Sequence, residues 1–418
     1  MTDRNANRSG YRKTQIGWIP EEWNCVLFGT LADFSNGLNF LKHESAYPIK
    51  VVGVSDFQDR RVADVTISET IFVDRKPTKD ALLQEGDLLF VRSNGSKALV
   101  GRCLLIPALR EEVSFSGFTI RARLHQPSAS AEYISHLMRS DSVRRQLHEF
   151  GGGTNISNLS QDILNGLRIV IPPEHAKIAA ILSAWDEAIE QTRALTAVAK
   201  RRKKALMQQL LTGRKRLPGF AVPWKKMSIG VLLEEVERPV TWADDATYCL
   251  LSVRRASGGA FLREERRGSE ILTKTMFQAK AGDFLISKMQ VLHGAMALVP
   301  EHLDGMHISG SYIALRPRST ATIDSEFFTM LSSTPEFYHL TYLSSYGVHI
   351  EKMTFNLEWF LQSIVRIPTN ISEQRAITAV LTTADEAIKT QEAKCTALER
   401  QKKGLMQKLL TGEVRMKP

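Results

Sequence analysis

The chain has 418 residues, with 55 Lys and Arg against 45 Asp and Glu, for a formal charge of +10. Its 43% hydrophobic and 24% charged content is ordinary for a globular protein that forms cores without disulfide or metal staples, and the length predicts two to four domains. No run of 18 apolar residues exists to span a bilayer, and the polar opening MTDRNANRSGYRKTQ lacks a secretory apolar stretch, so the expectation is a cytoplasmic protein without membrane contact.

In chain order, residues 1–16 read as a polar N-terminal extension. Residues 17–172 read as mixed α/β. VVGVSDF, DLLFVRS, ALVGRCLLI and FTIRARL are short runs rich in β-branched and aromatic residues, bounded by turn formers. Residues 131–149 predict two helices broken near Ser140–Asp141, a good N-cap site. GGGTN (151–155) is a turn that leads to an apolar strand and Pro172–Pro173.

After the prolines the period changes from two to a heptad. Residues 173–213 carry Ile178, Leu182, Trp185, Ile189, Thr192, Thr196, Ala199, Lys203, Leu206 and Leu210 at 4-3 spacing, and Gly213 stands where a C-terminal cap belongs. Residues 214–370 repeat the mixed pattern, with Thr334–Pro335 at the helix break. Residues 371–412 form a second heptad helix through Ile377, Leu381, Ala384, Ile388, Gln391, Cys395, Leu398, Lys402, Leu405 and Leu409, and 413–418 are a tail. Laid on each other at an offset of 199, residues 174–213 and 373–412 are identical at 19 of 40 positions. Trp23 matches Trp224, GDLLFVRS matches GDFLISKM (282–289), and SGFTIRARL resembles SGSYIALRP (309–317). The period is too long for a solenoid, so one large unit occurs twice. Neither long helix can bury its stripe alone. They most simply pack on each other, and an antiparallel coiled coil would relate the two similar modules by a pseudo-two-fold axis.

The charge is concentrated. Residues 200–216 hold eight cations and no acid, and residues 397–418 add a net +4, so the rest of the chain is close to neutral. A basic patch points to a polyanion, and two similar modules held apart by a rod fit one long ligand touched twice, as duplex DNA with its repeating groove faces would be. The four cysteines are scattered, there is no HExxH, and His293, His302 and His307 lack ligand spacing, so no metal is expected. There is no GxxxxGK[ST] phosphate loop, and Pro172–Pro173 lacks the polar and aromatic flanks that hold a flipped adenine, so the chain is not expected to be an enzyme.

The ordered series GWIPEEW (17–23), GDLLFVRS, IVIPP, DEAI and LMQQLLTG, occurring twice, resembles the DNA-specificity (S) subunit of type I restriction-modification systems over residues 17–412. The second copy departs from it by opening with PGFAVPW (218–224). The resemblance implies target-recognition domains at 17–172 and 214–370, each reading half of a bipartite, asymmetric site in double-stranded DNA. It also implies that the helices at 173–213 and 371–412 set the spacer and dock two modification (M) subunits, which methylate adenine. Restriction (R) subunits would join the full complex. S-adenosylmethionine, ATP and Mg would sit on the partners, and this chain would bind no cofactor. The competing reading is a coiled-coil assembly scaffold that does not bind DNA.

Base readout needs polar side chains on loops that can enter a groove. Arg92, Asn94 and Lys97 follow the GD strand of the first copy, and Lys288, Gln290 and His293 occupy the matching place in the second. A polar hairpin turn without function is the plain alternative. Asn155 and Lys352 lie on a second pair of matching loops. Lys200, Arg201, Arg202, Lys203 and Lys204 are candidates for phosphate or M-subunit contact, and the acids Asp186, Glu187, Asp385 and Glu386 for subunit docking. Ile178, Leu182, Trp185, Ile189, Leu206, Leu210, Ile377, Leu381, Ile388, Leu398, Leu405 and Leu409 are the expected coil core.

Overall fold

Two features of the sequence start and stop the long helices. Asn370 caps one, its side chain accepting the Ser372 N–H at 2.9 Å, and Pro172–Pro173 precedes the other. They end three and two residues before a glycine in the left-handed region, Gly213 at φ +69° and Gly412 at φ +72°. The computed structural model describes residues 5–6, 8–39, 47–58, 60–93, 99–125, 130–150, 158–349 and 353–416. In it the helices are α4 (His175–Leu210) and α9 (Ile371–Leu410), 36 and 40 residues long, or about 54 and 60 Å at 1.5 Å per residue. All twenty heptad positions are buried or half-buried.

The chain forms two compact units, residues 1–193 with 393–418, and residues 194–392. The division runs through both helices, so each unit contains half of each. The sequence reading draws its boundaries at the helix ends instead.

In the first unit, β1 (Tyr11–Thr14) and β2 (Gly17–Pro20) form an antiparallel hairpin, so the polar opening contributes a strand. A four-stranded sheet has the order β4 (Ala32–Asn36), β10 (Thr119–Leu124), β7 (Leu88–Val91), β8 (Cys103–Leu105). A second sheet has the order β6 (Glu69–Val73), β5 (Tyr47–Val52), β9 (Val113–Phe115), with β5 and β9 parallel. β3 (Asn24–Leu27) pairs with β11 (Arg168–Ile171). Among the described residues, short helices α1 (Ala131–Leu137), α2 (Asp141–Phe150) and α3 (Gln161–Gly166) complete the unit. The expected break at Ser140–Asp141 is present, with Ser140 Oγ accepting the Val143 N–H at 3.3 Å. The run ALVGRCLLI makes a strand only over its last part, because Gly101 sits at φ +81° in a turn.

The second unit repeats this order. Its four-stranded sheet is β13 (Leu233–Glu235), β20 (Tyr312–Pro317), β17 (Phe284–Ser287), β18 (Met296–Leu298). The other is β15 (Ala260–Arg267), β14 (Thr247–Val253), β19 (His307–Ser309), β16 (Met276–Gln278), again with one parallel pair, β14 and β19. β12 (Lys225–Ser228) pairs with β23 (Ile364–Ile367), and β21 (Ser345–Tyr346) with β22 (Thr354–Phe355). Its shorter helices are α5 (Ile229–Leu232), α6 (Ser325–Ser332), α7 (Pro335–Leu343) and α8 (Leu357–Gln362), with Thr334 capping α7 and Pro335 opening it.

The helix ends belong to the module cores. Ile178 and Leu182 at the start of α4 and Leu409–Leu410 at the end of α9 pack with Phe28, Phe90 and Tyr133. Leu210–Leu211 and Ile377 with Leu381 do the same for Phe284, Phe327 and Phe360. This is why LLTG recurs: its leucines close a core and its glycine accepts an indole. A Cβ at Gly213 would come within 3.1 Å of Trp224, and one at Gly412 within 2.6 Å of Pro20 and 3.3 Å of Trp23.

Candidate nucleic-acid interface

The repeated Gly-Asp pair positions the candidate reading loops. Gly86 and Gly282 both take φ +85°, which turns the chain so that the next Asp is buried. Asp87 accepts the Gln84 N–H at 2.8 Å and two bonds from Arg123 at 2.8 and 2.7 Å. Asp283 accepts the Lys280 N–H, two bonds from Arg238 and one from Arg316. A buried carboxylate needs such compensation. The motif is therefore a structural bracket, and the strand after it, β7 or β17, aims the next loop.

In the first unit Arg92 leaves β7 with its backbone fixed, its N–H donating to Phe118 O at 2.8 Å and its carbonyl accepting from Leu159 at 2.7 Å. Arg92 is half-buried, and Phe118 is exposed. Asn94, Lys97 and Asn155 lie outside the described residues, as does Lys352 of the second unit. There, Lys288 donates from Nζ to Gly310 O at 2.9 Å and is half-buried. Gln290 and His293 bracket a single helical turn that ends at Gly294, φ +71°, against the Tyr338 ring. The turn exposes Met289 and half-buries Gln290 and His293.

The basic run on α4 is partly used by the helix pair. In the second unit Lys203 pairs with Asp385 at 2.6 Å and Lys200 with Glu392 at 2.6 Å. In the first unit the matching positions hold Lys402–Asp186 and Arg193–Glu399. All four pairs have falling α9 numbers as α4 numbers rise, so the helices run antiparallel within each unit. The Lys–Asp pairs are the same residues at the offset of 199, and the other two carry swapped charges. Asp186 and Asp385 of the DEAI segments are thus partners of the opposite helix. Arg201, Arg202 and Lys204 are exposed, and among the described residues no hydrogen bond or ion pair engages them.

Two arrangements escaped the sequence reading. Arg61 is buried and donates to Asp186 at 2.9 Å, Ser135 at 2.8 Å and Ser183 at 3.2 Å, which ties the first module to α4. His136, fully buried beside them, is held neutral by burial, with Arg61 and Lys402 adding to the effect, and its pKa falls to about 3. Asp186 stays below the ordinary carboxylate range: its burial alone would raise it, but Lys402, His136 and Arg61 together lower it. Nothing in the local sequence pairs residues 61, 136, 186 and 402. The second arrangement was legible in part. Arg216 and Arg415 each stand three residues after the capping glycine. Arg216 pairs with Glu373 and lies over Trp224, and Arg415 pairs with Glu174 and lies over Trp23. The two glutamates are the first identities of the aligned helices.

Among the described residues no group of three or more His, Cys, Asp or Glu side chains could hold a metal ion, and no helix is long and apolar enough to cross a membrane. No family model matches the chain. A putative type I restriction enzyme specificity subunit, MjaX, from Methanocaldococcus jannaschii is 23% identical over 432 residues, covering 97% of each chain. The StySPI specificity subunit of Salmonella potsdam is 25% identical over 227 residues, 51% of this chain and 49% of its own. A chain solved in work on complex assembly and conformational transition of the type I R-M system superposes with a TM-score of 0.58 at 19% identity, covering 95% of this chain and 99% of that one. The S subunit of the type I system from M. genitalium gives 0.55 at 13% identity, covering 95% and 97%. The internal duplication is thus matched by a relative similar from end to end and by two solved folds, and over nearly its whole length the chain is similar to specificity subunits of type I restriction-modification systems.

Proposed function

We propose that each unit reads one half of a bipartite, asymmetric DNA site, and that the paired helices set the unread spacer and dock two modification subunits that methylate adenine. The duplication carries this reading. Two modules share strand order and the buried Gly-Asp bracket, yet differ in every side chain of the loop that follows: Arg92 in one, Lys288, Gln290 and His293 in the other. Equal scaffolds with unequal loops are what two different half-sites require. Exposed Arg201, Arg202 and Lys204 supply phosphate or subunit contacts. S-adenosylmethionine, ATP and Mg act on the partner subunits, with restriction subunits joining for cleavage. The test is sequencing of methylated adenine in cells carrying this chain with its modification partner, before and after residues 17–172 are exchanged for those of a relative. One half of the methylated motif should change and the other should stay. A change in both halves, or a continuous motif, refutes the assignment.

A further inference from the structure

Beside the loop at 288–294 runs a second one, Arg254–Gly259, joining β14 to β15. Ala256 and Ser257 both take φ +54°, a region that residues with side chains enter only when their surroundings hold them there. The surroundings do so. The Ala256 N–H donates to His293 O at 2.7 Å, and the Ser257 N–H donates to Gly294 O at 2.8 Å. Ser257 Oγ and the Tyr338 hydroxyl lie 2.7 Å apart. Within the loop the Arg254 N–H donates to Gly259 O at 3.0 Å. The loop is therefore fixed to the candidate reading loop and to α7.

Two arginines enter this turn. The Arg254 guanidinium lies 4.0 Å from the Phe261 ring centroid, which positions it. Arg255 is exposed, and among the described residues no hydrogen bond, ion pair or ring contact engages its side chain. In the first unit the loop after β5 treats its two arginines differently. Arg61 turns inward to Asp186, and Arg60 pairs with Asp64 at 3.2 Å. Among the described residues the second unit makes no such use of Arg255, although it holds the two residues that follow it at positive φ.

We propose that Arg255 is a base-reading residue of the second unit. Its planar fork would donate to O6 and N7 of a guanine in the major groove, with Tyr338 as the positioning residue that fixes the loop through Ser257. A rigid backbone carrying a free guanidinium is suited to bidentate readout, whereas a loose cation adds affinity alone. The proposal rests on the DNA-reading role given above.

The test uses the full chain with its modification partner. Arg255→Ala should relax methylation at one G·C pair of one half-site by roughly 5- to 150-fold and leave the other half unchanged. Tyr338→Phe, which deletes only the hydroxyl, should relax the same pair. An unchanged motif in Arg255→Ala overturns the proposal. So does uniform weakening across sequences with the salt slope reduced by about one, the signature of a phosphate contact. Relaxation by Tyr338→Phe at a different pair overturns the positioning role. Failure of the underlying reading is separable, because it would show in the unsubstituted complex as a continuous motif or none.

Discussion

Glu373 and Glu174 occupy equivalent positions in the two copies, and the same substitution should cost them different amounts. Glu373 is 1% exposed and accepts Arg216 through both oxygens at 2.5 and 2.7 Å and the Trp224 indole N–H at 3.2 Å. Glu373→Ala removes two charge-assisted hydrogen bonds at about 1.5–3 kcal/mol each and orphans a buried indole at about 1–3 kcal/mol. Arg216 is 25% exposed, so water re-solvates its guanidinium and reduces the loss to about 3–4 kcal/mol. Among the described residues Glu174 accepts only Arg415 Nε, at 2.9 Å. Its other oxygen has no partner among the described residues, and Arg415 keeps Glu22 at 2.5 Å. Glu174→Ala should therefore cost about 1–2 kcal/mol. Hydrogen exchange on the full chain reads this locally. Protection in the first turns of α9 should fall a few hundredfold in Glu373→Ala, and that of α4 about tenfold in Glu174→Ala. Equal losses, or a larger loss at Glu174, would refute the account of how the two clamps differ.

Two further outcomes follow from the buried and the exposed charges. Folded His136 stays neutral down to about pH 3, while the unfolded residue takes its proton near 6.5, so the unfolded state binds more protons between these values. Stability of the first unit should decline as pH falls through this window, by up to ~1.4 kcal/mol per unit, and His136→Gln should flatten the decline. Urea unfolding between pH 6.5 and 4.5, above the carboxylate range, measures it, and an unaltered slope would count against the assignment. Replacing Arg201, Arg202 and Lys204 together by Ala should lower the salt slope of DNA binding in the assembled complex by about three if they meet phosphates. An unaltered slope with weaker assembly would assign them to subunit docking.

The parts legible in the sequence were those encoded locally or by repetition. Heptad spacing announced α4 and α9, Ser140 and Thr334 announced helix breaks, and identity at an offset of 199 announced the duplication. The Gly-Asp pair was visible as a match, but its purpose was not, since Asp87 meets Arg123 and Asp283 meets Arg238 and Arg316 only across strands. Lys200 and Lys203 drew attention as cations, and their partners lie nearly two hundred residues away on α9.

By itself, then, the sequence determined the period of each segment, the two copies of one unit and the family they resemble. Periodicity and self-similarity are properties of the chain as written. The tertiary structure decided which charges are consumed inside the fold and which face outward. Arg61 and Arg255 both sit on the loop that follows the corresponding strand, β5 or β14, yet one is buried against Asp186 and the other is exposed. That difference depends on the groups the fold brings within hydrogen-bonding reach, and a charge is neutralised by its neighbours in space, not by its neighbours in sequence.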